Sequence, residues 1–307
     1  MLAGIVPAVV TPFDAEGKFN VRSFERLAER LYAAGVHGLY LCGSTGEGML
    51  QTVAQRKQVA EAAIRNSPSD KSVIIHVGAN TTDEAIELAR HAARISAHAI
   101  SSLPPCVGVY SFAEIKSYYE RLAAASDLPL LIYFFPEVAP AIKTAAQVLE
   151  LAAIKNVVGL KFTDYDLYTM LRLKEMGATI FYGRDEMLSA GLLLGADGGI
   201  GSFYNVIPES FLRLWSMARG GRWDETRALQ ARINEFITIT LRYPLFPALK
   251  TILGWAGIDC GPCLAPRRQS LSADESAQLR DELTCAGLLE QVISKTRLES
   301  AGLLEDL

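Results

Sequence analysis

The sequence predicts a closed α/β barrel, a (β/α)8 TIM barrel, with a helical extension at its C-terminal end. Three observations predict it. Eight short apolar runs alternate with eight amphipathic stretches over about 220 residues, the unit count and length such a barrel needs. The runs are rich in Val, Ile and Leu and lack regular polar alternation, as parallel strands covered by helices do. The first run leads into Thr11-Pro12-Phe13-Asp14. An open doubly wound sheet, the competing architecture, would place a glycine-rich phosphate turn there.

In chain order the expected strands cover residues 5–13, 37–43, 72–78, 97–104, 128–135, 157–163, 179–183 and 198–203. The expected helices cover 21–34, 53–65, 83–95, 112–125, 144–153, 165–176, 186–194 and 208–219. Asn20, Thr52, Thr82 and Ser111 stand where N-caps belong, because their side-chain oxygens can accept from the orphan N–H groups of a first turn. Residues 1–222 make up the barrel. Residues 223–307 read as helices with a Gly/Pro break near 257–266. No linker precedes them, so they are expected to pack on the barrel within one overall domain.

Half of the 307 residues are apolar and 21% are charged, enough apolar surface for a large core. The net charge is −4, with acids and bases mixed along the chain. No basic cluster offers a nucleic-acid footprint, and no basic amphipathic helix suggests a membrane surface. The strongest apolar run, 128–135, stops at Pro136 and Glu137, far short of a bilayer span. The N-terminal apolar run contains Pro7 and Pro12 with no basic segment before it, unlike a signal peptide. Five cysteines, an odd number spread over a long chain, fit reduced thiols better than a disulfide framework. The expectation is a cytoplasmic enzyme without nucleic-acid or membrane partners.

The sharpest chemical anomaly is Lys161, inside Val157-Val158-Gly159-Leu160-Lys161-Phe162-Thr163-Asp164. Strand alternation puts Gly159, Lys161 and Thr163 toward the barrel interior, and Val158, Leu160 and Phe162 toward the helices. A buried ammonium costs several kcal/mol unless paired. Such a lysine either reaches solvent or a partner such as Asp164, or serves as an amine nucleophile toward carbonyls. The segment alone leaves both readings open. Tyr133 sits near the C-terminal end of the preceding strand, on the face shared by Leu131 and Phe135. A strand tyrosine is commonly a core residue with a satisfied hydroxyl, but polar groups at C-terminal strand ends of barrels are where catalysis sits.

Gly43-Ser44-Thr45-Gly46-Glu47-Gly48 follows the second strand. Its glycines let N–H groups converge, and its hydroxyls can hold a carboxylate or phosphate; such a turn is also often only a turn. Gly183-Arg184-Asp185-Glu186 follows the seventh strand, where acids commonly serve as helix caps. Gly198-Gly199-Ile200-Gly201 lacks the spacing of a dinucleotide loop. Cys260-Gly261-Pro262-Cys263 has redox-motif spacing but lies in the helical tail, not at a strand-to-helix junction, so coincidence is favoured. The histidines at 37, 76, 91 and 98 show no ligand spacing, and no metal is expected.

Together these motifs resemble the N-acetylneuraminate lyase and dihydrodipicolinate synthase family of pyruvate-dependent class I aldolases, from about residue 4 to 270. The resemblance rests on Gly43–Glu47, Tyr133 with Pro136, Gly159–Lys161, Gly183–Glu186 and Gly195–Ser202, five motifs in register on the expected strands. The lyase branch is nearer. Lys161-Phe162-Thr163-Asp164 is similar to its sequence after the lysine. Gly183, Asp185, Glu186 and Ser202 match the residues that hold the sugar's polyhydroxyl tail there. The synthase branch carries an arginine shortly after the strand-five proline, where this chain reads Glu137-Val138-Ala139-Pro140. Two positions depart from the family: Phe134 follows the tyrosine, and Tyr110 is displaced from the slot of a tyrosine that reaches a neighbouring subunit.

The resemblance implies a Schiff-base lyase that cleaves N-acetylneuraminate to N-acetylmannosamine and pyruvate. Lys161 and Tyr133 would be catalytic, and Ser44, Thr45, Thr163, Gly183, Asp185, Glu186 and Ser202 would bind the 2-keto acid substrate. It implies no metal or organic cofactor, and a homotetramer. Another aldolase of the family, acting on a sugar acid or small keto acid, is the nearest alternative. A non-catalytic keto-acid sensor and a thiol oxidoreductase using Cys260 and Cys263 are alternatives of other classes.

Overall fold

The computed structural model describes residues 2–292; the last part of the expected extension, 293–307, lies outside the described residues. The strands are Gly4–Pro7 (β1), Gly38–Leu41 (β2), Ser72–His76 (β3), Ala99–Ser102 (β4), Leu130–Phe134 (β5), Val157–Phe162 (β6), Thr179–Tyr182 (β7) and Gly198–Gly201 (β8). All are parallel, in the order β1-β8-β7-β6-β5-β4-β3-β2. The ends of that order also meet. The N–H of Val9 donates to the Tyr40 carbonyl at 2.9 Å, and that of His37 to the Ile5 carbonyl at 2.9 Å. The sheet is therefore closed, a (β/α)8 barrel.

The barrel helices are Val21–Ala34 (α1), Val53–Asn66 (α2), Thr82–Arg94 (α3), Phe112–Ala123 (α4), Ala145–Ala152 (α5), Leu167–Glu175 (α6), Leu188–Leu193 (α7) and Pro208–Arg219 (α8). Asn20, Thr52 and Ser111 cap α1, α2 and α4 as expected. The cap of α3 is Thr81, not Thr82: its hydroxyl accepts from the N–H of Glu84 at 3.3 Å. Only Thr81 has a glutamate three residues on, and its hydroxyl bonds the Glu84 carboxylate at 3.0 Å.

Two kinds of apolar layer follow from strand alternation. Leu39, Leu160, Phe162 and Ile180 point outward into the main core beneath the helices. Val6, Tyr40, Ile74, Leu131, Phe181 and Ile200 point inward and fill the barrel axis. The first strand was expected to run to residue 13 but ends at Pro7. Val9, Val10 and Phe13 remain buried beyond it, and apolar patterning reports burial, not strand pairing. Val158, expected under the helices, is instead 39% exposed near the start of β6.

The extension contributes Trp223–Thr240 (α9), Leu245–Trp255 (α10) and Ala273–Cys285 (α11), with an irregular segment across the expected break. Phe236, Leu249 and Leu279 join the same apolar core as Phe24 and Leu160. Among the described residues, no helix is long and apolar enough to cross a bilayer.

Close strand approach makes one glycine a sensitive probe of the closed sheet. A Cβ on Gly159 would lie 1.8 Å from the Thr179 carbonyl oxygen on β7. Backbone cannot yield as a side-chain tip can, so Gly159→Ala should destabilise by ~1–3 kcal/mol or more. A lowered thermal midpoint checks this; an unchanged one would mean that β6 and β7 separate freely.

Candidate active site

Register across three strands places the central groups. Tyr133 on β5 pairs with Lys161 on β6, which pairs with Phe181 on β7. Partners in a parallel ladder point the same way, so all three enter the barrel. Lys161 is 4% exposed, and its Nζ lies 4.0 Å from the Tyr133 ring centroid and 4.5 Å from that of Tyr40. Asp164 is not the partner of this amine; it accepts from the backbone N–H of Tyr165 at 2.7 Å. The rings are themselves braced. Tyr40 meets Tyr133 edge-on at 6.3 Å, and the buried His76 meets Tyr133 edge-on at 6.0 Å. Burial holds the His76 pKa well below the usual imidazole range, so the ring is neutral, and its Nε2 accepts from the Leu103 N–H at 3.0 Å.

Above this layer, at the C-terminal ends of the strands, lies a cavity of about 260 Å³. Every residue expected in the site lines it: Ser44, Thr45, Tyr133, Lys161, Thr163, Gly183, Asp185, Glu186 and Ser202. A larger open cleft, about 470 Å³, lies among Lys71, His98, Val158 and Thr179 and contains none of those residues. Its residues sit at or beside strand starts, the end of a barrel associated with stability.

Thr45 and Ser202 share a hydroxyl–hydroxyl hydrogen bond of 2.7 Å, joining the loop after β2 to the turn after β8. Gly183 lets β7 approach Thr163 closely, since a Cβ there would lie 2.0 Å from Thr163 Oγ1. That buried hydroxyl has no hydrogen-bond partner among the described residues, and neither has Asp185 Oδ1. Buried polar atoms are ordinarily paired; these two belong to residues that line the cavity, Thr163 Oγ1 packed beside Gly183 and Asp185 Oδ1 beside Gly201 on β8. Asp185 is not a simple helix cap, because its Oδ2 accepts from the Phe203 N–H at 2.8 Å, across from β7 to the turn after β8. Burial pushes its pKa up to about 7, partly opposed by that N–H. Glu186 accepts from the Tyr165 hydroxyl at 2.6 Å.

Several wall residues were missed by sequence reasoning. Arg184 pairs with Glu137 and stacks on the Phe135 and Tyr165 rings, 5.3 and 4.2 Å from their centroids. It lay inside a quoted motif, and its charge between Gly183 and Asp185 was an available signal. Ile237, Leu241, Leu245 and Phe246 come from α9, α10 and their connection, where no motif pointed. Tyr40 carried only the signal of strand parity.

Two doubtful positions are placed as well. Phe134 faces away from the cavity, against Phe162 at 5.2 Å, so it does not replace a catalytic neighbour of Tyr133. Tyr110 donates to the Val107 carbonyl of its own loop at 2.6 Å and is absent from the wall. All five cysteines are free thiols. Burial pushes the Cys260 and Cys263 thiols up to about 12 and about 11, which leaves little thiolate for redox exchange.

A closed barrel with a buried lysine between tyrosine rings, beneath a polar cavity at the C-terminal strand ends, is an arrangement that can bring an amine against a carbonyl compound. The model of the dihydrodipicolinate synthetase family matches residues 1–286, and the chain belongs to that family. It is a carbon–carbon lyase of the pyruvate-dependent aldolase kind. The N-acetylneuraminate lyase of Rhizobium meliloti is 34% identical over 278 residues, covering 90% of this chain and 93% of the relative. Among solved structures, the Clostridium difficile CdNal complex with mannosamine superposes with a TM-score of 0.89 at 28% identity, covering 93% of this chain and 99% of the other. A catalytic lysine mutant of the Ruminococcus gnavus sialic acid aldolase gives 0.88 at 27% identity, covering 94% and 97%.

The raised Asp185 pKa has a stability consequence of definite sign. Below pH ~4 the carboxyl is protonated in folded and unfolded chains alike, and it makes stability no more pH-dependent. Between pH ~4 and 7 only the unfolded chain ionises, so stability falls as pH rises, by up to about 4 kcal/mol. Asp185→Asn removes this titration. Its melting temperature relative to the parent should climb from pH 4.5 to pH 8; a difference independent of pH would mean that Asp185 ionises normally.

Proposed function

We propose that this enzyme cleaves N-acetylneuraminate to N-acetylmannosamine and pyruvate, through an imine on Lys161. The observation that carries this reading is the Lys161 amine, buried against Tyr133 at the floor of a cavity whose far wall carries Thr163, Asp185, Glu186 and Ser202. The free-amine form of Lys161 adds to the C2 ketone of the open-chain substrate and expels water with a proton supplied by the Tyr133 hydroxyl (by solvent where that hydroxyl is removed), leaving a protonated imine and a Tyr133 phenolate. Ser44 and Thr45 receive the adjacent carboxylate and fix C2 over the amine. Tyr133 takes the proton of the C4 hydroxyl, relayed through the substrate carboxylate or Ser44, as the C3–C4 bond breaks. The bond's electron pair moves to C3 and the imine becomes an enamine, while N-acetylmannosamine leaves as the aldehyde. C3 then takes up a proton, and water hydrolyses the imine to release pyruvate. The chain's own lysine is the electron sink, so the proposed route needs no metal or organic cofactor.

Thr163, Gly183, Asp185, Glu186 and Ser202 hold the hydroxylated tail. The enzyme works as a cytoplasmic homotetramer in this reading. Sedimentation should then give four chains; a monomer at working concentration would refute that part.

A second reading is favoured by Arg184. It places a cation on the wall, paired to Glu137 just after Pro136, and could hold an acidic substituent of a shorter acceptor. Coupled assays with neutral and acidic aldehydes plus pyruvate separate the two readings. Arg184→Met should spare N-acetylmannosamine as acceptor under the first, and abolish a preference for acidic acceptors under the second.

Pyruvate with borohydride should leave one reduced pyruvyl group on Lys161 by peptide mass spectrometry. An adduct on Lys155, or none, would overturn the imine assignment. Tyr133→Phe should still be trapped, yet lose ~10²–10⁴-fold in turnover of N-acetylneuraminate, the range for one acid–base group. Near-parental turnover would reduce Tyr133 to packing.

A further inference from the structure

We propose that the buried ion pair of Glu47 and Lys250 is a positioning device that sets the substrate-carboxylate loop against the cavity. The proposal rests on the reading of Ser44 and Thr45 as the carboxylate site. Glu47 closes the same short loop, and its side chain is fully buried, with that of Lys250 5% exposed. Lys250 Nζ lies 2.9 Å from Glu47 Oε1 and donates to the Pro262 carbonyl at 2.7 Å. Glu47 Oε2 accepts from the Leu264 N–H at 2.7 Å.

The pair joins three separate parts of the chain: the loop after β2, helix α10 and the irregular segment after it. Helix α10 also supplies Leu245 and Phe246 to the cavity wall. Glu47 holds a left-handed backbone (φ 55°), which non-glycine residues rarely adopt. Its N–H donates to the Ser44 carbonyl at 3.2 Å, and Arg267 from the far segment reaches the same carbonyl at 3.4 Å. A buried ion pair is weak evidence for stability alone, since packed apolar residues often serve as well. Where it fixes geometry, it does something that apolar packing does less sharply. Here the fixed object is the peptide that carries Ser44 and Thr45, and Thr45 passes the constraint to Ser202 through their shared bond.

The experiment titrates pyruvate against the full-length enzyme and reads the fraction of Lys161 trapped by borohydride. Glu47→Gln keeps the shape and removes the charge; Lys250→Met keeps the stem and removes the cation. Each should need about 10- to 100-fold more pyruvate for half-maximal trapping, the scale expected for slight misplacement. The trapping plateau should be preserved, because Lys161 and Tyr133 are untouched. Lys250→Arg, which retains the cation, should recover part of the loss. Unchanged half-saturation in Glu47→Gln and Lys250→Met, even with lowered melting temperatures, overturns the proposal and leaves the pair a structural clamp. If Lys250→Met does not fold, Glu47→Gln decides it: a raised half-saturation supports the proposal and an unchanged one overturns it. Absence of trapping in the unsubstituted enzyme would sink the imine reading and this proposal with it. Normal trapping with unshifted variants sinks this proposal alone.

Discussion

A primary amine inside a barrel has to be held without being neutralised by a carboxylate. An acid in direct contact would stabilise the ammonium and remove the lone pair that chemistry needs. Lys161 meets this constraint with ring faces: Tyr40 and Tyr133 flank its Nζ at 4.5 and 4.0 Å. Aromatic faces attract a cation moderately and bring no counter-charge into contact with the amine. The surrounding structure serves this arrangement. Ser101 accepts from the Tyr40 hydroxyl at 3.2 Å, and His76, itself anchored by Leu103, abuts both rings. Below them Val6, Ile74, Leu131 and Phe181 fill the axis and keep water from the amine's underside.

Closing the barrel orients the lysine, but it does not roof it. The wall beyond the strand ends comes in part from α9 and α10, through Ile237, Leu241, Leu245 and Phe246. The extension therefore belongs to the site as much as to the core. Its attachment is polar as well as apolar. Gln230 of α9 donates to the Asp185 carbonyl at 3.1 Å and Asn234 to that of Glu186 at 3.0 Å, fixing the turn that bears both acids.

Local pattern made much of this legible. Eight apolar runs fell on the eight strands, because burial on both faces leaves an unmistakable composition. Parity placed Lys161 and Tyr133 on one inner face, and the motif loops all reached one cavity. What could not be read depends on distances between remote segments. The role of Arg184 depends on Glu137, 47 positions away, with which it pairs. Leu245 and Phe246 carry no local signal, since nothing in a short apolar pattern distinguishes a cavity wall from an interior. The α3 cap was missed by one residue for a local reason: two adjacent threonines are equally good caps until the glutamate three positions on is counted. Val158 was placed by alternation alone, which specifies a face but not whether a helix covers it.

Thr163 Oγ1, Arg184 Nε and Asp185 Oδ1 are buried without hydrogen-bond partners among the described residues, and all three residues line the same wall. Each such atom costs about 1–3 kcal/mol relative to a paired one. A sequence selected for stability alone would pair them or replace them with apolar groups. Unpaired polar atoms at a site are where local rules are expected to yield to function. The cost is recovered only when a ligand presents complementary hydroxyl or carboxylate groups. The raised Asp185 pKa sharpens the point, because a protonated carboxyl can donate as well as accept. Such a wall can engage hydroxyls in either direction, whereas a fully ionised one would only accept.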